Sequence, residues 1–118
     1  GLVSTAAGDG SAGFRGDGGP APRASLSAPT GLAASVARGR LTLFIADSNN
    51  GRIRVVAADG TISSLPVSAE QIGVPARLAL GARGGLYVAD ASDHHLSLIA
   101  LPVSPRPGAR PPAVRRVM

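Results

Sequence analysis

Four short stretches of this sequence hold residue types whose spacing could do chemistry. Arg15-Gly16-Asp17 has the form of a cell-adhesion tripeptide, and Gly8-x-Gly10-x-x-Gly13 has the spacing of a dinucleotide-binding fingerprint. Asp47-Ser48-Asn49-Asn50-Gly51 begins like a calcium loop, and His94-His95 offers two adjacent imidazoles. Each chemistry needs a context. A dinucleotide fingerprint needs a strand before it, a helix opening at the glycines and an acid ~20 residues later. Here Phe14, further glycines, Pro20 and Pro22 follow, so no long helix starts. The calcium pattern lacks an acid at its fifth position and the distant bidentate glutamate. Asp47, Ser48 and Asn50 are instead expected to bond the backbone of their own hairpin. On a strand, neighbouring histidines point to opposite faces, and there is no third histidine to complete a metal site. No nucleophile-elbow motif supports a serine hydrolase.

The adhesion reading of Arg15-Gly16-Asp17 needs an exposed tip on a mobile loop. The competing reading is chain turning. Glycine there permits positive φ, Asp17 caps local amides, and Pro20, Ala24, Leu26 and Pro29 pin the segment to the core. Turning explains the whole stretch 13–21, so the sequence assigns no catalytic residue, no metal ligand and no cofactor.

Composition narrows the classes further. The chain has 118 residues, enough for one small domain, and no cysteine, which removes disulfides and thiolate chemistry. No apolar run approaches the ~18–20 residues of a membrane-spanning helix. All twelve basic residues are arginine, and the net charge is +5. Arg106, Arg110, Arg115 and Arg116 lie in the segment 102–118, leaving eight arginines against seven acids in the body. The aromatics are Phe14, Phe44 and Tyr87, none within a run of arginines in sequence. A nucleic-acid surface of basic groups and stacking rings is therefore not expected.

The elements that must position any site read as strands. Candidates are 2–6, 31–36, 41–47, 52–59, 61–65, 76–80, 85–90 and 95–101, separated by Arg38-Gly39, Asn49-Asn50-Gly51, Asp59-Gly60 and Gly84-Gly85. No stretch has a sustained helical period, so the chain is predicted all-β with hairpin connections. Leu41, Leu43 and Ile45 share one face, and Thr42, Phe44 and Ala46 the other, as in a strand covered on both sides. In the next strand, Ile53 and Val55 face inward while Arg52 and Arg54 alternate toward solvent.

The pattern then recurs. Pro29, Leu32, Leu43, Ile45 and Ala46-Asp47 are echoed by Pro75, Leu78, Leu86, Val88 and Ala89-Asp90. Ile53, Val55 and Val56 are echoed by Leu96, Leu98 and Ile99. A period of ~40–50 residues with several strands per unit is the signature of propeller blades.

With these residues in view, the chain resembles the NHL-repeat family. The stretch 8–33 is similar to that family's glycine-rich connection and opening strand, and "ADSNNGRIR" (46–54) resembles its signature hairpin. The second hairpin is degenerate, with Asp93, His95 and Ser97 in place of the usual asparagine and arginines. The resemblance implies an incomplete β-propeller of roughly two four-stranded antiparallel sheets. The connection would run over 7–30, one blade over 31–65 and another over 77–101, with 2–6 the outer strand of a preceding blade. Residues 102–118, rich in proline and arginine, are expected to form a disordered tail. The chain thus reads as a piece of a longer protein. By analogy its role is non-enzymatic, a binding or scaffolding module for a protein partner. The alternative is a fragment of a propeller enzyme, a lyase or lactonase-like one, with catalytic residues in missing blades. Two blades cannot close a ring, so uncovered apolar faces are expected among Leu43, Phe44, Ile45, Val55, Leu86, Val88, Leu98 and Ile99, driving self-association or a need for further blades.

Overall fold

The computed structural model describes residues 1–101 and 111–118. The chain is all-β, with two four-stranded antiparallel sheets. The first contains β1 (Pro29–Ala37), β2 (Arg40–Asp47), β3 (Arg52–Val56) and β4 (Ile62–Ser64), in that order. The second contains β5 (Pro75–Leu80), β6 (Leu86–Asp90), β7 (Leu96–Ile99) and β8 (Val114–Arg116). Turn chemistry sets the hairpins. Arg38 and Gly39 both take positive φ between the paired Ala37 and Arg40, the two-residue turn that matches strand twist.

Between the sheets runs a short helix that strand patterning does not reveal, α1 (Ala69–Ile72). It is fixed by a capping box. The Ser68 hydroxyl accepts from the Gln71 amide, and Gln71 Oε1 accepts from the Ser68 amide at 2.9 Å. Its purpose in packing is to bury Ile72.

The sheets stack face to face. Phe44 and Ile53 of the first sheet meet Leu86, Val88 and Ile99 of the second, with Leu65, Val67 and Ile72 of the linking segment filling the gap. A smaller cluster lies on the other side of the first sheet. There Ala21 and Ala24, from the segment preceding β1, cover Ile45, Val56 and Ile62.

The expected strand at 2–6 is absent. Leu2 and Val3 are fully exposed, with no sheet beside them to pair with. The tail also differs. Val114–Arg116 is not a free end but the outer strand of the second sheet, paired with β7 from Ser97↔Arg116 to Ile99↔Val114. Val114 packs on the inter-sheet core, which explains why this segment is ordered despite its arginines. Pro102, Pro105, Arg106 and Arg110 lie outside the described residues.

Exposed apolar area also falls elsewhere than expected. Stacking buries Phe44, Leu86, Val88 and Ile99, and the segment before β1 buries Ile45. The residues left open on the first sheet are Leu32, Val36 and Leu41, at 62%, 71% and 46% exposure.

Candidate functional site

Arg54 is the polar centre of the molecule. Alternation on β3 predicts a solvated side chain, yet it is completely buried. The Gly-rich segment folds over it and supplies acceptors. Arg54 donates from Nε and Nη2 to Asp17 Oδ1 at 3.1 and 2.9 Å, and from Nη1 to Asp47 Oδ2 at 3.1 Å. It also donates to the carbonyls of Ser25 and Arg15 at 2.9 and 3.2 Å. A planar fork with several donors is suited to this task in a way an ammonium is not.

The adhesion-like tripeptide is therefore part of this clamp. Asp17 does not cap local amides as expected. It accepts from Arg54 and, at 2.7 Å, from the Ser64 hydroxyl. Gly16 has φ +96, and a Cβ there would lie 2.6 Å from Ala24 Cα, so the tripeptide's centre is pressed on the buried Ala24. The Arg15 side chain projects furthest outward, and Asp17 is partly exposed. Of the proposed pinning residues, Ala24 is buried and Leu26 half-buried, whereas Pro20 and Pro29 are exposed and Ala21 does their work. Gly8 and Gly10 have positive φ in a turn, and the Gly13 amide bonds the Leu26 carbonyl instead of opening a helix.

The "DSNNG" corner reaches further than its own hairpin. Asp47 accepts from the Ser27 amide at 2.7 Å and from Asn50 Nδ2 at 2.8 Å. Asn50 also donates to the Gly13 carbonyl at 2.8 Å, and the Ser48 hydroxyl donates to the Pro75 carbonyl across the sheet boundary. Phe14, distant from arginines in sequence pattern, is in space covered by the guanidinium groups of Arg52 and Arg54, at 4.5 and 4.9 Å from its centroid. Its face is thereby occupied by cation–π contacts.

Asp90 occupies in the second sheet the corner that Asp47 occupies in the first. It accepts from the amides of Val74 and Ser92 at 3.1 and 2.8 Å and from the Ser92 hydroxyl at 2.7 Å. Burial pushes its pKa up, but these bonds and that of the Asp93 amide more than offset it and hold the carboxyl down at about 2. Gly73 (φ +65) makes room, since a Cβ there would fall on the Asp90 carboxylate.

This corner also holds the one group of metal-ligand type found among the described residues. Donor atoms of Asp90, Asp93 and His95 lie within 4.8 Å of one another. The sequence paired His94 with His95. The structure instead puts His94 in a positive-φ turn and gathers His95 with the two acids. Two features work against a cation. Asp90 Oδ1 already serves several donors, and Arg116 Nη1 lies 3.2 Å from His95 Nε2. Asp90 is thus engaged by its own turn, while His95 Nδ1 is buried without a hydrogen-bond partner.

Among several shallow grooves on the described residues, one of about 650 Å³ lies on the outward face of the second sheet. Gly81, Gly85, Tyr87, Leu98, Ala113 and Arg115 line it, and no motif marks it. Only the repeat could have pointed to it, because Tyr87 and Leu98 echo Phe44 and Val55. The chain matches no known family model and no curated protein. Among the described residues, no helix is long and apolar enough to cross a membrane.

Proposed function

We propose that this chain is two blades of an NHL-type β-propeller, acting as a non-enzymatic binding or scaffolding module for protein partners. The observation that carries the reading is the repeated corner. Asp47 and Asp90 each close the turn after a second strand, and each grips an amide of the segment that enters its sheet, Ser27 or Val74. The sequence repeat is thus a repeat of whole sheets with one design, which is how propeller blades are built. The buried polar side chains Arg54, Asp47 and Asp90 are engaged in holding turns and connections. An apolar groove with an aromatic and an arginine at its wall has the composition of a protein-binding surface.

The test combines binding and turnover. A photo-crosslinking residue at Tyr87 is expected to capture a protein in cells, and Leu98→Glu is expected to abolish that capture. Amide and lactone substrates, with and without added divalent metal, are expected to turn over at background. Metal-dependent turnover without any captured protein would favour a propeller enzyme instead.

A further inference from the structure

The two sheets do not meet through equivalent faces. On the first sheet, the face turned to the core carries the paired row Ala33–Phe44–Val55. The same row in the second sheet is Ala79–Tyr87–Leu98, and it faces outward. Conversely, the second sheet buries Leu86, Val88 and Ile99 against the first, with Leu78 half-buried beside them. Their counterparts Leu32, Leu43, Ile45 and Val56 form the outer face of the first sheet. The packing is heterologous, so each open face matches one that is already covered inside the chain.

The connections obey the same rule. Residues Leu65, Val67 and Ile72 precede β5 and wedge between the sheets. Ala21, Ala24 and Leu26 precede β1 and lie on the outer face of the first sheet in the same way, with Leu32, Val36 and Leu41 left open beside them. This is half of an inter-sheet joint.

We infer that copies of this chain stack head to tail, the outer face of one copy's first sheet docking on the Tyr87–Leu98 face of another's second sheet. The inference deepens the blade reading by naming the neighbour each open face takes. It continues an interface the chain already contains, with the apolar row Leu32, Val36 and Leu41 as the complement of the groove. One position sets its strength. Within the chain β1 approaches β5 closely at Gly31, where a Cβ would lie 2.7 Å from the Ala76 carbonyl oxygen. Arg77 stands at the Gly31 position in the second sheet. The joint between copies is therefore looser than the joint within one.

Sedimentation velocity on the whole chain at micromolar concentration decides the matter. Wild type is expected to associate beyond a dimer, into a closed ring or an open stack. Val36→Glu spoils one face and Leu98→Glu the other, so each alone is expected to be monomeric with an unchanged circular dichroism spectrum. Mixed in equal amounts they are expected to form a single 1:1 dimer, since one intact face of each remains. Tyr87→Lys replaces Leu98→Glu if the latter loses structure. Arg77→Gly is expected to tighten the wild-type association several-fold. A monomeric wild type, a mixture that stays monomeric, or an Arg77→Gly protein with unaltered association would overturn the inference. A homodimer formed by either single variant would overturn it too, while leaving the blade reading of each sheet standing.

Discussion

Arg54 Nη1 lies 3.1 Å from Asp47 Oδ2, and neither side chain has any exposed surface. Breaking such a pair by removing one partner leaves an uncompensated buried charge. Arg54→Met is therefore expected to cost ~3–5 kcal/mol, read as a lower midpoint in urea. Arg54→Lys should recover little of it, because one ammonium cannot serve Asp17, Asp47 and two carbonyls set around a planar fork. A loss below ~1 kcal/mol in Arg54→Met would mean that the clamp does not hold the connection.

Asp17 is the partly exposed arm of the same clamp, with 36% of its side chain accessible. Asp17→Ala is expected to cost less than the Arg54 change, about 1–2 kcal/mol, because water screens the loss while the Ser64 hydroxyl and Arg54 each lose an acceptor. Cell attachment to immobilised protein should be the same for wild type and Asp17→Ala. Attachment abolished by this change at unaltered stability would restore the adhesion reading.

The strands from β1 to β7 and their repeat were legible in the sequence because strands covered on both sides leave short, nearly continuous apolar runs and hairpins need Gly and Asn at set places. Arg54 was not. Its alternation points to solvent, and only the fold of a segment far away in sequence brings Asp17 over it. The same holds for Val114–Arg116, where pairing with β7 overrides a composition that reads as tail. The gathering of Asp90, Asp93 and His95 was missed because a positive φ at His94 breaks the strand alternation that separates neighbouring side chains.

Asp90 should make stability depend on pH. Its folded-state pKa, about 2, lies below the ordinary 3.8. A depressed carboxyl contributes stability that is fully present above its unfolded value and is lost as pH falls through its folded value. The midpoint in urea should therefore drop between pH 4 and 2 by a larger amount for wild type than for Asp90→Asn. Above that window Asp90→Asn should be the less stable of the two by about 1–2 kcal/mol. Parallel pH curves for the two proteins would show that the carboxylate, as a charge, does not hold this corner.

Gly73 tests the same corner by geometry. It has φ +65 and ψ −137, and a side chain would collide with the Asp90 carboxylate. Gly73→Ala is expected to cost more than ~1–3 kcal/mol, the strain of the backbone region plus the displaced carboxylate. Gly39→Ala is the control, because that glycine has positive φ but open space around its Cβ. Equal losses in the two variants, by thermal unfolding, would assign the cost to backbone conformation alone.

The last prediction concerns β8. The Leu96 amide donates to the Met118 carbonyl at 2.9 Å, and the Ala100 amide to the Ala113 carbonyl at 2.9 Å. Val114 lies opposite Ile99 and rests on the inter-sheet core. Without β8, the edge of β7 loses these partners and Ile99 loses its cover. A chain lacking residues 111–118 should therefore show fast hydrogen exchange at Leu96 and Ala100, which are protected in the whole chain. Amides of β2 that bond β1 and β3 should keep their protection, because those strands, not β8, are their partners. Val114→Asp is expected to act in the same direction at lower cost to the backbone, about 1 kcal/mol for the loss of a half-buried side chain. If Leu96 and Ala100 exchange equally fast with and without residues 111–118, the segment is a free tail and the second sheet ends at β7.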